Sequence, residues 1–345
     1  MSETVNRQIL LAARPEGAPK DSDFDLVKSP IPQPGEDQIL CRTIYLSLDP
    51  YMRGRMNAGR TYAEPVEIGQ VMEGGAVSQV VSSNLDAYQP GDIVLGYTGW
   101  QDFALSDGQG VRKINPALAP ISTALGVLGM PGMTAYTGLL NIGQPKEGET
   151  LVVAAASGAV GSVVGQIGKI KGCRAIGVAG SPEKCRFVVD ELGFDACLNH
   201  RDVNFAQDLE RACPEGVDIY FENVGGKVFQ AVLPLLNSFA RVPVCGLIAQ
   251  YNATEPPPGP NQVPQLMGAV LIKRLDIRGF IVFDFARQEA EFIEQVGGWI
   301  GENRIKYRED FVDGLENAPR ALRGLLQGEN FGKLVVRVSP DTTGR

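Results

Sequence analysis

The chain reads as an α/β protein in which a doubly wound parallel sheet is inserted into a mostly β domain. Three observations predict this. Residues 7–113 fall into short alternating apolar segments punctuated by glycine and proline, strand-like and helix-like segments alternate from Thr150 onward, and an apolar-rich strand pattern returns at 331–338. A length of 345 residues exceeds one ordinary core and points to two domains. The expected organisation is a mostly β domain over 1–121, an α/β domain over 122–305, and a return to the first domain over 306–345.

In the first domain the segments 38–45, 68–72 and 90–95 carry the strand pattern. Near Ser122 helix-like segments begin. The strand candidates of the second domain are 150–155, 174–178, 217–221, 241–245 and 275–282, mostly separated by helical stretches, as a parallel sheet covered on both faces requires. The proline run at 255–260 can be neither helix nor inner strand, because proline lacks the backbone donor and fixes φ, so an exposed loop is expected there.

Composition excludes several functions. Forty acidic residues against 32 basic ones leave a net charge of -8, the opposite of what a phosphate-backbone binder needs, so no nucleic-acid partner is expected. The apolar run near the amino terminus spans only 9–13, with Glu3 before it, too short for a signal-peptide core. No apolar stretch reaches the roughly 18 residues that cross a bilayer, so no membrane association and a cytoplasmic location are expected. The six cysteines never form a C-x-x-C pair, and His200 is the sole histidine. Neither a disulfide framework nor a zinc site is readable from them.

The chemistry begins at the turn after the strand candidate 150–155. Ala156, Ser157, Gly158, Ala159, Val160, Gly161 and Ser162 supply the small residues that let a backbone turn tightly, approach a pyrophosphate and open a helix whose amide end attracts the anion. The first glycine of the usual G-x-G-x-x-G pattern is Ala156 here, which weakens the motif on its own; the β-α context around it supports dinucleotide binding. About 20 residues on, where an NAD site places an acid for the ribose 2′-hydroxyl, the chain reads Gly177-Val178-Ala179-Gly180-Ser181-Pro182-Glu183-Lys184. No acid ends the strand, and Lys184 offers a cation to a 2′-phosphate, so NADPH is expected over NADH. A solvated lysine on a helix face is the alternative for Lys184.

Further blocks surround this turn: Leu-Ser-Leu-Asp-Pro-Tyr-Met-Arg at 46–53, Gly-Met-Pro-Gly-Met-Thr-Ala-Tyr at 129–136, Glu-Asn-Val-Gly-Gly at 222–226, Tyr251-Asn252, and Gly-Glu-Asn-Phe-Gly-Lys at 328–333. With them the chain resembles the zinc-independent branch of the medium-chain dehydrogenase/reductase superfamily, that of the leukotriene B4 12-hydroxydehydrogenase/prostaglandin reductases and bacterial NADPH-dependent curcumin reductases. The resemblance covers nearly the whole chain. It implies a Rossmann domain inserted into a GroES-like substrate domain, and reduction of the carbon-carbon double bond of an α,β-unsaturated ketone or aldehyde, with hydride to the β-carbon and a proton to the α-carbon. It also implies coenzyme contacts from Gly158, Val160 and Gly161 at the pyrophosphate, Lys184 at the 2′-phosphate, Asn223 and Asn330 near the nicotinamide half, and Cys245 and Gly246 after the fifth strand. His200 stands where the family often has tyrosine, near the adenosine phosphate.

Such a reaction makes an enolate, which calls for a donor near the carbonyl oxygen and a proton route to the α-carbon. Tyr251, just past the fifth strand at the carboxyl edge of the sheet, is the first candidate and Tyr51 the second; Tyr62 is a weaker third. An aromatic anchor is the structural alternative for each, and the coenzyme's ribose hydroxyl is the alternative proton relay. Met52 and Met130, together with Met133, could line an apolar pocket for a small enone, although methionines are more often core. Arg53 and Arg55 read as solvated or paired with neighbours such as Asp49. A zinc-free quinone reductase and a non-catalytic NADPH-binding protein are the competing functions. A homodimer is the prior for such an assembly.

Overall fold

The computed structural model describes residues 5–59, 61–256 and 261–343. It divides into two compact units, one of Met1–Gly126 with Glu309–Arg345 and the other of Val127–Arg308. Pro257, Pro258, Gly259 and Pro260 of the predicted loop lie outside the described residues.

The first unit opens with β1 (Val5–Leu11), β2 (Phe24–Pro30) and β3 (Ile39–Ser47), then α1 (Tyr51–Arg55), β4 (Ala76–Ser83), β5 (Ile93–Gly96), β6 (Phe103–Ser106) and β7 (Arg112–Lys113). The second contains α2 (Met130–Thr137), β8 (Thr150–Ala154), α3 (Gly161–Ile170), β9 (Arg174–Ala179), α4 (Pro182–Asp190), β10 (Ala196–Asn199), α5 (Phe205–Ala212), β11 (Val217–Phe221), α6 (Gly226–Val232), β12 (Leu236–Val244), α7 (Val263–Lys273), β13 (Asp276–Gly279) and α8 (Glu289–Gly301). The chain then returns to the first unit with β14 (Glu309–Asp313), α9 (Ala318–Leu326) and β15 (Lys333–Arg337).

In the first unit the strand order β14-β15-β3-β4-β5-β7, with β6 also on β3, is antiparallel except for the β14-β15 pair, and β1-β2 form a separate ribbon. Its core gathers Leu46, Leu48, Met52, Met72 and Trp100, with Phe24 stacked on Trp100 at 5.9 Å. The strand expected at 68–72 does not form. Val71 makes only an isolated bridge to Leu10, because Glu67 and Gln70 close a turn on each other and Gly69 adopts φ 86°.

The second unit is a six-stranded parallel sheet of order β10-β9-β8-β11-β12-β13. Outward from β8 the chain runs through β9 to β10 on one side, and from β11 through β12 to β13 on the other. The order therefore reverses between β8 and β11, and ligands bind at the carboxyl ends around such a switch point. Strand β10 was not among the expected strands: its four half-buried residues, Ala-Cys-Leu-Asn, carry no β-branched side chain. The strand expected over 275–282 is shorter, since the Asp284 carboxylate accepts the Ile281 N–H at 3.0 Å and caps a 3-10 turn over Val282–Gln288. Among the described residues no helix is long and apolar enough to cross a membrane.

Candidate active site

The glycine-rich turn leaves β8 through Ala155, which takes φ 53°, and closes with the Gly158 N–H donating to the Ala155 carbonyl at 2.9 Å. A Cβ at Gly161 would lie 2.3 Å from that same carbonyl oxygen, so only glycine lets α3 start this close to the turn. Ala156, at the position usually glycine, is fully buried, and its methyl lies 2.9 Å from where a Cβ on Gly177 would stand. The absence of a side chain at Gly177 on the neighbouring strand leaves room for the Ala156 methyl.

At the end of β9 the Ser181 hydroxyl caps α4 by accepting the Lys184 N–H at 3.2 Å, with Pro182 in the first helical turn. Above Gly180 stand two groups from the turn after β10: a Cβ at Gly180 would be 3.3 Å from His200 Nε2 and 3.9 Å from the Arg201 guanidinium. The His200 N–H is tied to the Ala179 carbonyl at 3.0 Å. Burial, then the charges of Arg201, Lys227 and Lys184, hold the His200 imidazole below its ordinary pKa. A basic cradle with no acid at the strand end fits a 2′-phosphate. The sequence offers His200 and Arg201 as a donor and a charge at this phosphate but gives Lys227 no role. Lys227 directly follows the Glu-Asn-Val-Gly-Gly block, and nothing local shows that its charge acts on His200.

Between the carboxyl ends of β8 and β11, Asn223 Nδ2 donates to the Ala154 carbonyl at 2.8 Å, which orients its amide over the switch point. Glu222 beside it is 1% exposed, and its Oε1 accepts the Val224 and Gly225 N–H groups at 2.6 and 2.8 Å. Its carbonyl accepts the N–H groups of Cys245 and Gly246 at 2.9 and 3.2 Å. One residue thus fixes both the Asn223 turn and the exit of β12. Burial pushes the Glu222 carboxyl up against the opposing pull of the Val224 and Gly225 amides. Burial also raises the Cys245 thiol to about 12, which leaves it protonated and unsuited to nucleophilic attack. Tyr251 follows on a short 3-10 turn, Ile248–Gln250, its hydroxyl oxygen 3.4 Å from the Leu247 N–H and 3.1 Å from the Cβ position of Gly246. Burial raises its pKa, so the phenol keeps its proton.

In the first unit, Tyr51 opens α1 and is held well above its ordinary pKa by burial and by the nearby Asp49 charge. Asp49 accepts from the Ser47 hydroxyl and pairs with Lys333 at 2.7 Å, while Lys333 Nζ also donates to the Leu48 carbonyl at 2.8 Å. Asn330 lies three residues from that lysine, its Nδ2 donating to the Gly332 carbonyl at 2.8 Å. Of the two readings for Arg53 and Arg55, solvated or paired with a neighbour such as Asp49, the structure buries both arginines and gives Asp49 another partner. Arg53 donates to the Pro15 and Gly17 carbonyls, Arg55 pairs with Glu73, and Lys333 takes Asp49. Met52 is also corrected: it is fully buried against Leu46 and Trp100 on the β3 side of the core, so it packs the unit and offers no surface to a substrate. Tyr62 is exposed, and Met130 is half-buried in the first turn of α2. Among the described residues no group of three or more His, Cys, Asp or Glu side chains could hold a metal ion.

Comparison with known proteins places this geometry in a family. A profile described as the N-terminal domain of oxidoreductase matches residues 7–114, and one described as zinc-binding dehydrogenase matches residues 159–297. The chain is 59% identical to an NADPH-dependent curcumin reductase of Escherichia coli (strain K12), covering 97% of this chain and 98% of the relative. It is 40% identical to a 2-alkenal reductase (NADP(+)-dependent) of Nicotiana tabacum, covering 98% of each. The crystal structure of CurA from Vibrio vulnificus in complex with NADPH superposes with a TM-score of 0.94 at 57% identity, covering 97% of this chain and all of that one.

Proposed function

Because the chain belongs to the zinc-independent medium-chain dehydrogenase/reductase family, we propose that it is an NADPH-dependent reductase of the carbon-carbon double bond of α,β-unsaturated ketones and aldehydes. The observation that carries this reading is the basic, acid-free end of β9 beside an intact pyrophosphate turn, in a chain so similar to an NADPH-dependent curcumin reductase. NADPH, when bound, supplies the hydride for the β-carbon. Gly158, Val160 and Gly161 hold its pyrophosphate, Lys184 and His200 its 2′-phosphate, and Asn223, Cys245, Gly246 and Asn330 its nicotinamide half.

Tyr251 donates a hydrogen bond from its hydroxyl to the carbonyl oxygen as that oxygen takes on enolate charge. Its raised pKa keeps the hydroxyl proton at neutral pH, and the Leu247 amide contacts the lone-pair side of the oxygen, leaving the O–H to donate. Tyr51 is the alternative donor, Tyr62 and Met130 are residues for substrate contact, and the ribose hydroxyl remains a second proton relay. The substrate is a small apolar enone. Two copies of the chain associate through α7 and the edge strand β13, which leave Val263, Met267, Leu271 and Ile272 exposed. A cytoplasmic location suits six free thiols.

Turnover of 2-alkenals, alkenones, diarylenones and quinones, each with NADPH and NADH, tests the reading. Saturated ketone or aldehyde products formed with NADPH are expected. Turnover confined to quinones, or none with any acceptor, overturns it. Sedimentation of the purified chain as a monomer at micromolar concentration would remove the dimer.

A further inference from the structure

The charges of three cations from three elements lower the pKa of the only histidine of the chain: Arg201 shares its turn after β10 and stands with it over Gly180, Lys184 comes from the first turn of α4, and Lys227 from the start of α6. The ring is also held in place. Its backbone N–H is bonded to the Ala179 carbonyl, and its Nε2 stands directly over Gly180, the place where a side chain at the end of β9 would otherwise project. A neutral imidazole costs nothing among three positive charges, whereas an imidazolium there is opposed by each of them. A dianion delivered into the same cluster reverses the balance, because it screens the three cations and offers the ring N–H an acceptor.

We propose that His200 is a proton-linked selector of the coenzyme: binding of a 2′-phosphate among Lys184, Lys227 and Arg201 draws a proton onto its imidazole, so that preference for NADPH over NADH strengthens as the pH falls. This rests on the proposed 2′-phosphate site and adds Lys227 and the proton to it. The sign follows from linkage. The free form holds the imidazole below its ordinary pKa and the phosphate-bound form raises it, so binding takes up a proton between the two values. In that window the affinity for a 2′-phosphate falls as the pH rises, by at most about tenfold for each unit by which the midpoint shifts, and the affinity for a coenzyme lacking the phosphate does not change. The comparison is made above about pH 6.5, where a phosphate monoester is mostly dianionic.

A single histidine gives a single imidazole proton signal, which can be followed by NMR without turnover. The probes are 2′,5′-ADP and 5′-AMP, which differ by the 2′-phosphate alone. We expect 2′,5′-ADP to raise the midpoint of the His200 titration by about one unit or more, and 5′-AMP to leave it in place. Calorimetry near pH 7 in two buffers of different ionisation enthalpy should show proton uptake with 2′,5′-ADP only. His200→Gln should bind 2′,5′-ADP with no proton uptake and a flat pH dependence, and Lys227→Ala should weaken 2′,5′-ADP and spare 5′-AMP. A signal that shifts with 2′,5′-ADP but keeps its midpoint, with no proton uptake, overturns the proposal and leaves the phosphate site standing. Binding of 2′,5′-ADP that leaves the His200 signal untouched removes both.

Discussion

At the carboxyl ends of the parallel strands in the second unit, functional groups are held by main chain. The Ala155 carbonyl closes the glycine-rich turn, the Ala154 carbonyl orients Asn223, the Ala179 carbonyl ties down His200, and the Glu222 carbonyl takes two amides at the exit of β12. Beside Tyr51 in the first unit the holding is done by buried charge. Asp49 and Lys333 have side chains only 8% and 4% exposed and join the loop before α1 to the start of β15. A backbone-built site fails when something is added to it, and a charge-built site fails when something is taken away. Strands of a parallel sheet bring carbonyls to one edge in register, so the sheet itself supplies partners. An antiparallel sheet offers no such edge to the loop before α1, and a side-chain pair supplies the cross-link.

The largest effect expected from this contrast is on stability in the first unit. Lys333→Ala leaves Asp49 buried without its countercharge, at a cost of about 3–5 kcal/mol. Replacing both partners, Asp49→Leu with Lys333→Met, should recover most of that loss in chemical denaturation. A single variant as stable as the wild type would show that the pair carries no load.

Next comes Tyr251, a side chain asked to do chemistry where main-chain carbonyls hold its neighbours. Tyr251→Phe keeps the ring and should lower kcat on one enone by roughly a hundred- to a thousand-fold, or about 2.7–4 kcal/mol, with NADPH affinity unchanged. Full activity in this variant, with damage only in Tyr251→Ala, would make the ring a packing element and move the hydrogen-bond donor to Tyr51 or the ribose hydroxyl.

A smaller change is expected at Gly161, where a methyl would sit 2.3 Å from the Ala155 oxygen and displace the turn. Overpacking of this kind costs about 1–3 kcal/mol, so Gly161→Ala should weaken NADPH about tenfold or more in a direct binding titration, with little effect on the first unit. Unaltered affinity would mean that the turn adjusts freely. The smallest effect is none: prolonged chelation should leave enone turnover intact, and stoichiometric zinc whose removal abolishes activity would contradict the zinc-free reading.

Sequence by itself determined the fold class, the family and the glycine-rich turn after β8. These rest on short-range patterns: the alternation of strand and helix from Thr150, the small residues at 156–161, and the acid-free stretch after β9. What it missed was set by partners distant in the chain or by register. Strand β10 exists because it pairs with β9, with Cys197 opposite Gly177, and no propensity in Ala-Cys-Leu-Asn announces it. Ala156 is tolerated in a glycine position because Gly177 on the next strand gives up the space. Only the tertiary structure decided that Asp49 belongs to Lys333, 284 positions away, and not to the neighbouring arginines, that Met52 faces the core, and that the charge of Lys227 acts on His200 together with those of Lys184 and Arg201. Local spacing dictates where the backbone turns and which face a side chain takes, whereas the partner a buried charge meets depends on which strands lie side by side, and that is known only once the sheet has closed.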